Sequence, residues 1–195
     1  MKYDYADNTK LRIVLLLDNV TNKKIIKLNS KINSEIPLDF EFSENCIPHV
    51  TLISGKLKNK LNFNKISKII NNKIQQIFNK NLTINFDEFY FSPDGNWLFL
   101  SLENNDILLN FITNLREELK EYFEISDARH LHVTIAKSNN LKEKIKLVNS
   151  LEIPKKFVAK NVAIGLSGEN GILLNIIKKY KINLNNTYKN NLTNN

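Results

Sequence analysis

The chain has 195 residues, of which 42% are hydrophobic, a composition that suits one soluble globular domain and includes no apolar run long enough to span a membrane. Its formal charge of +8 favours an anionic partner such as RNA, an oligonucleotide or a nucleotide, although a solvated lysine-rich surface alone would give the same charge. The single cysteine, Cys46, excludes an internal disulfide, so we expect a reducing compartment, the cytoplasm.

The first half of the chain predicts a strand, a helix, a second strand, a second helix and a hairpin. Gly55 is expected to stop the second strand, and the turn from Ser92 to Asn96 is expected to close the hairpin. The second helix has its apolar residues at helical spacing. The predicted bounds are Leu11–Leu17, Thr21–Ser34, His49–Ser54, Phe63–Phe78, and Leu82–Phe91 with Trp97–Leu102.

The second half repeats the order of helix, strand, helix and hairpin. Its predicted bounds are Asp106–Tyr122, Leu131–Ala136, Leu141–Ser150, and Lys156–Leu166 with Ile172–Tyr180. We interpret the repeat as an internal duplication with pseudo-two-fold symmetry. The sequence therefore predicts one bilobal domain over residues 1–184, with lobes of roughly 11–103 and 104–184. A tail over 185–195 has almost no apolar content and is predicted to be disordered.

Both halves contain the same short motif. It reads His49-Val50-Thr51-Leu52 in the first half and His132-Val133-Thr134-Ile135 in the second, so it includes two of the three histidines. In a strand, side chains alternate between faces, so each copy places His and Thr on one face and two aliphatic residues on the other. Histidine titrates near neutral pH and threonine donates a hydrogen bond. Two such pairs brought together would suit an anionic phosphate.

These motifs resemble those of the 2H phosphoesterase superfamily, whose pattern is two His-x-Thr/Ser motifs flanked by hydrophobic residues. The resemblance covers roughly Leu11 to Lys181. It implies an α+β fold that is bilobal and duplicated, with two antiparallel-rich sheets, helices on the outside and an active-site cleft between pseudo-symmetric lobes. It also implies a phosphodiesterase that acts on ribose-linked phosphodiesters without a metal or other cofactor. We expect such a protein to act as a monomer, away from membranes.

The resemblance and the chemistry imply the same roles for the four motif residues. His49 and His132 are the predicted catalytic acid and base, and Thr51 and Thr134 are predicted to bind the phosphate. The sequence leaves open which histidine is the acid. It also leaves open whether water or a ribose hydroxyl attacks, and whether the substrate is a 2′,3′-cyclic phosphate end, a 2′-5′ oligonucleotide or a cyclic dinucleotide.

Further residues are weaker candidates. His130 is predicted to share the catalytic face, where it could contact the substrate or tune His132, but a solvent-exposed histidine at the strand edge is the favoured account. Lys137 is predicted to lie on the opposite face, and Cys46 to be a passive thiol rather than a nucleophile. Others could contact a base or the substrate from the hairpins or the amino terminus, namely Tyr90, Phe91, Trp97, Ser167, Tyr3 and Tyr5.

Two alternatives stay open at this stage. One is a non-catalytic RNA-binding protein, which basic charge and exposed aromatics would suit but which does not explain the paired histidines. The other is a metal site formed by His49, His130 and His132.

Overall fold

The computed structural model describes residues 9–44, 46–78, 82–126, 130–139, 141–144, 148 and 150–182. In these ranges the chain forms three α-helices and nine strands, and all strand pairs are antiparallel, which confirms the α+β class. The predicted disordered tail, 185–195, lies outside the described residues. The helices are α1 (Asn19–Asn33), α2 (Phe63–Ile77) and α3 (Asp106–Leu119). The strands are β1 (Lys10–Leu16), β2 (His49–Leu57), β3 (Leu82–Phe91), β4 (Trp97–Leu102), β5 (Phe123–Ile125), β6 (His132–Lys137), β7 (Lys156–Ala159), β8 (Asn161–Ser167) and β9 (Leu173–Lys181).

The strands follow one path in the order β7-β3-β4-β6-β2-β1-β8-β9, and β5 pairs with β2 beside this path. At the middle, β2 and β6 share a single pair, Val50 with Val133. This junction divides the path into two antiparallel halves, and each half has strands from both predicted lobes. One half joins β3 and β4 of the first lobe to β6 and β7 of the second, and the other joins β1 and β2 of the first lobe to β8 and β9 of the second. The two motif strands therefore meet where the halves of the sheet join.

Strand β1 is buried on both faces, which explains its nearly continuous apolar sequence. Leu11, Ile13 and Leu15 belong to the main core, to which all three helices contribute. Val14 and Leu16 point to the other face and pack in a small cluster with Ala163 and Leu173. This second face is the one that carries the motif residues.

Helix α2 matches its predicted position and shows how the helices cover the main core. Ile66, Ile70 and Ile74 are fully buried at a spacing of one turn. Beyond the end of α2, Phe78 contacts Phe111 of α3 with ring centroids 4.8 Å apart. Within the described ranges, no helix has the length and apolarity needed to cross a membrane.

The sequence predicts that the strand containing the first motif stops at Gly55, and this prediction is wrong. The strand continues to Leu57 and pairs with β5, a short strand that the sequence analysis missed. A Cβ atom at position 55 would lie 2.2 Å from the main-chain oxygen of Glu124. The glycine is therefore needed for the close approach of β5, and not to end β2.

The last predicted hairpin and helix also need correction. The segment predicted as one strand from Lys156 to Leu166 is two strands, β7 and β8, of which β7 pairs with β3 and only β8 forms the hairpin with β9. Within the predicted helix 141–150, residues Leu141–Lys144 form a 3₁₀ turn, and positions 145–147 and 149 lie outside the described residues. By contrast, the β3–β4 hairpin has the predicted bounds, and its turn uses Gly95 at a φ of 73°.

Asp18 fixes the start of α1. One carboxylate oxygen accepts hydrogen bonds from the backbone N–H groups of Val20 and Thr21, both at 3.0 Å, and the other accepts one from the backbone N–H of Val158 in β7 at 2.9 Å. Burial raises the pKa of this carboxyl, but the hydrogen bonds outweigh it, so the pKa lies below its ordinary value.

We predict that Asp18→Ala lowers the free energy of unfolding at pH 7 by about 1–2 kcal/mol, because a helix cap and a strand contact are lost together. The stabilisation from a lowered pKa is present above the pKa of the unfolded state and is lost as pH falls through the folded-state pKa. The difference in the free energy of unfolding between wild type and Asp18→Ala should therefore decrease at acidic pH, as measured by urea unfolding. Asp18→Asn, which keeps one acceptor oxygen, should lose less; equal losses would contradict the capping role.

Candidate active site

The two motifs lie side by side on neighbouring antiparallel strands. Val50 and Val133, the paired residues, are fully buried, whereas the His and Thr of each motif are half-buried on the opposite face. The register places His49 across from Thr134, and Thr51 across from His132. The structure thus brings all four predicted site residues together.

His49 makes a hydrogen bond that fixes its tautomer. Its Nδ1 lies 2.7 Å from the main-chain oxygen of Ile47. Because a carbonyl oxygen only accepts, Nδ1 carries the proton and Nε2 keeps the lone pair of the neutral ring. Burial of the ring lowers its pKa to about 4, and the positive charges of Arg12 and His132 add to this effect, while the bond to Ile47 opposes it. His49 is therefore neutral at physiological pH.

His132 has the same bond in the second motif and a different surrounding. Its Nδ1 lies 2.7 Å from the main-chain oxygen of His130, the residue two positions earlier, as in the first motif. The Tyr90 hydroxyl lies 3.0 Å from the same nitrogen. The Phe99 ring lies 4.3 Å from the imidazole, centroid to centroid.

His130 takes part through its backbone only. Its side chain is exposed, whereas its carbonyl oxygen orients His132. This exposure is what the sequence analysis favoured for the His130 side chain. His49, His130 and His132 do not form a metal-binding group, and in the described part of the chain no other cluster of three His, Cys, Asp or Glu side chains does.

Arg12 is a site residue that the sequence analysis missed. It lies on β1, where it donates from Nη1 to the Thr51 hydroxyl at 2.8 Å and from Nε to the Ser167 hydroxyl at 2.9 Å. Because Thr51 Oγ1 accepts this bond, its own proton is available to donate elsewhere. The signal in the sequence was a single arginine inside an otherwise apolar strand. Ser167, a weak candidate before, is placed at the site through Arg12.

An apolar cavity opens beside His49 and Thr134. It is narrow, and its other lining residues are mostly apolar: Phe40, Phe42, Cys46, Ile47, Gly171, Ile172 and Leu173. Burial raises the pKa of the Cys46 thiol to about 11. A thiol at that pKa is protonated at neutral pH, which agrees with its prediction as a passive group.

Lys137 does not lie on the face that the sequence predicted. The pairing of β4 with β6 is irregular between Leu98 and Phe99, so Ile135 is an extra residue and Lys137 returns to the side of the aromatic residues. There its Nζ lies 2.7 Å from an Asp39 carboxylate oxygen and 5.1 Å from the centre of the Trp97 ring. Asp39 therefore neutralises this cation at the rim of the site.

The remaining aromatic candidates have distinct positions. Trp97 stacks on Phe99 with centroids 6.0 Å apart, which continues the aromatic row from His132 to the hairpin turn. Phe91 is partly buried and packs on the main core, so it is a core residue. Tyr3 and Tyr5 lie outside the described residues.

The paired His-Val-Thr strands thus lie at the centre of an antiparallel α+β sheet. Solved structures with this fold include E. coli LigT complexed with 3′-AMP, which aligns over 90% of this chain and 98% of its own with 14% identity and a TM-score of 0.64. The protein TT0787 of Thermus thermophilus aligns over 89% and 97%, with 11% identity and a TM-score of 0.60. A structure described as a phosphoesterase aligns over 89% and 98%, with 13% identity and a TM-score of 0.57.

The chain therefore has the LigT fold, and the fold implied by the resemblance to 2H phosphoesterases is confirmed. No protein-family model and no curated protein sequence matches it.

Proposed function

We propose that this chain is a metal-independent phosphodiesterase of the 2H type, which cleaves ribose-linked phosphodiesters with His49 and His132 as base and acid. The observation that carries the proposal is the pairing of the two motifs, in which each histidine donates Nδ1–H to the carbonyl two residues before it, at 2.7 Å in both cases. Such a bond orients the other ring nitrogen, Nε2, as the group that exchanges protons. A phosphate between the two rings would have a proton acceptor on one side and a donor on the other.

The surroundings of the two rings suggest which is the base. Burial and the nearby Arg12 charge keep His49 neutral, so it can accept a proton. His132 is then the acid, because the reaction needs a proton donor on the other side of the phosphate. In the proposed reaction, His49 Nε2 accepts the proton of a water molecule or a ribose hydroxyl, and the oxygen of that water or hydroxyl bonds to phosphorus. His132 gives its Nε2 proton to the oxygen that leaves.

The threonines and Arg12 stabilise the negative charge that develops on the non-bridging oxygens. Thr51 is held by Arg12 and can donate its own proton to the phosphate, and Thr134 holds the equivalent place across from His49. Structures of E. coli LigT complexed with phosphate, 3′-AMP and ATP support a nucleotide ligand for this fold.

The proposal is tested by a product-resolved screen in excess chelator. Purified protein is offered 2′,3′-cyclic nucleotides, 2′-5′ oligoadenylates and cyclic dinucleotides, and the products are separated by chromatography. We expect turnover of at least one group, with the position of the product phosphate showing whether water or a ribose hydroxyl attacks. RNA binding without turnover of any group would contradict the proposal and favour a binding protein.

A further inference from the structure

A second concave surface lies between helix α2 and the edge strand β9. We call it the lysine groove; it is open to solvent and has a volume of about 560 Å³. Its lining residues are Asn64, Ser67, Lys68, Asn71, Gln75, Lys178, Lys179, Tyr180 and Lys181. None of them lines the cavity beside His49. Tyr180 and Lys178 pair with Val162 and Ile164 of the main core and so point to the helix side. Lys179 and Lys181 alternate to the other face, so the groove runs around the edge of the sheet at β9.

The groove is strongly and uniformly positive. Four lysines and no carboxylate line it. The sequences of α2 and β9 contain no Asp or Glu. A fifth lysine of these elements, Lys73, does not line the groove and pairs with Glu118 of α3 at 2.6 Å. Lysines on an edge strand also prevent pairing with another sheet. That role does not account for Lys68, which faces them from the helix.

The floor of the groove is an ordered polar cluster. The Ser67 hydroxyl, only 4% exposed, accepts hydrogen bonds from the Tyr180 hydroxyl at 2.8 Å and from the Lys178 ammonium. Burial raises the pKa of Tyr180 to about 12, so its phenol stays a donor. The Lys178 ammonium is held 5.5 Å from the centre of the Tyr180 ring, and only one of its three N–H bonds is needed for Ser67. A cation ordered in advance binds an anion at a lower entropic cost.

Amide side chains lie along the helix side of the groove. Asn64, Asn71 and Gln75 are spaced seven and four residues apart, so they share one face of α2. Carboxamides both donate and accept, which suits phosphate oxygens and ribose hydroxyls. The four lysines give a chain of phosphates its counter-charges.

We propose that the lysine groove is a second binding site, separate from the histidines, which holds the phosphates of single-stranded RNA along the edge strand β9. This inference rests on the proposed function: we choose RNA among polyanions because the proposed substrates are ribose-linked phosphodiesters. Because no aromatic face lines the groove except the buried Tyr180, contacts go to the backbone, and binding is insensitive to sequence.

The test uses the full chain and a fluorescein-labelled 15-nucleotide oligouridylate, with affinity measured by fluorescence anisotropy over a range of salt. The groove variant is Lys68→Gln/Lys179→Gln/Lys181→Gln, which spares Lys178 and its bond to Ser67. The matched control is Lys23→Gln/Lys24→Gln/Lys27→Gln, which removes the same charge from exposed positions of α1.

We expect the groove variant to lose about tenfold or more in affinity, and its log–log salt slope to shrink by about 0.7 per lysine replaced. The control should stay within about twofold of wild type. Equal losses in both variants would overturn the proposal by showing that net charge alone attracts RNA. No loss in the groove variant would also overturn it, as would a groove-dependent affinity for phosphatidylserine vesicles without one for RNA.

The two proposals fail separately. Hydrolysis of a 2′,3′-cyclic mononucleotide, which is too small to reach the groove, should be the same in wild type and the groove variant. If no substrate is turned over but the groove variant still loses RNA affinity, only the proposed catalytic function fails. If the substrate is hydrolysed and the groove variant binds RNA like wild type, only the groove proposal fails.

Discussion

Replacing His49 or His132 with alanine should each lower kcat by about 10²–10⁴-fold on whichever phosphodiester the protein hydrolyses, since each variant removes one of the two proton-transfer groups. The double variant should be little worse than the worse single variant, because an acid and a base that act in one step are not additive. Steady-state kinetics in excess chelator would measure both effects.

The sequence supplies a matched control in His130→Ala. This substitution also removes an imidazole near the site, but it keeps the main-chain oxygen that accepts from His132 Nδ1. Its side chain is exposed, so we expect activity within about threefold of wild type. A loss in His130→Ala comparable to that in His132→Ala would contradict the assigned roles, and so would substantial activity in either motif variant.

The sequence predicts those parts of the site that follow from the alternation of side chains along a strand and from the repeated motif. Alternation within each strand places the His and Thr of one motif on the same face, and Val50 and Val133 are buried as the alternation requires. The two motifs come together only through the pairing of β2 with β6. The hairpin of β3 and β4 could also be predicted from sequence, because turn residues such as Gly95 determine the backbone conformation of the turn itself.

What could not be predicted depends on contacts between distant parts of the chain. Arg12 acts through Thr51 and Ser167, which are 39 and 155 positions away, and nothing in its own strand indicates that distance. The bulge that turns Lys137 toward Trp97 is a property of the β4–β6 pair rather than of β6. Gly55 was interpreted as a strand end because β5, the reason for the glycine, is only three residues long.

Arg12→Met should lower kcat/KM by about 10²–10³-fold, close to the effect of losing a preorganised hydrogen-bond donor to a developing oxyanion. Methionine keeps the apolar stem of the side chain but removes the bonds to Thr51 and Ser167. The Thr51 hydroxyl would then be free to rotate, and the phosphate would lose a nearby positive charge. Ser167→Ala, which removes only one of the two anchors of Arg12, should have a smaller effect of the same sign.

The pH profile distinguishes this role from a merely structural one. A base must be neutral to act, so the acidic limb of kcat/KM reports the pKa of His49, which burial and, to a lesser extent, Arg12 hold near 4. Removing the Arg12 charge lets that pKa rise toward its ordinary value, so the variant should lose activity at a higher pH than wild type as the solution is acidified.

Arg116→Met is the matched control for this shift, because it removes an arginine on α3 that donates to the main-chain oxygen of Ser126 rather than to the site. Arg116→Met should leave the acidic limb of the kcat/KM profile at the same pH as in wild type. If Arg12→Met lowers kcat/KM without moving the limb, Arg12 acts on Thr51 and the phosphate alone. If neither kcat/KM nor the limb changes, Arg12 has no part in the reaction, and Thr51 must be oriented by the strand itself.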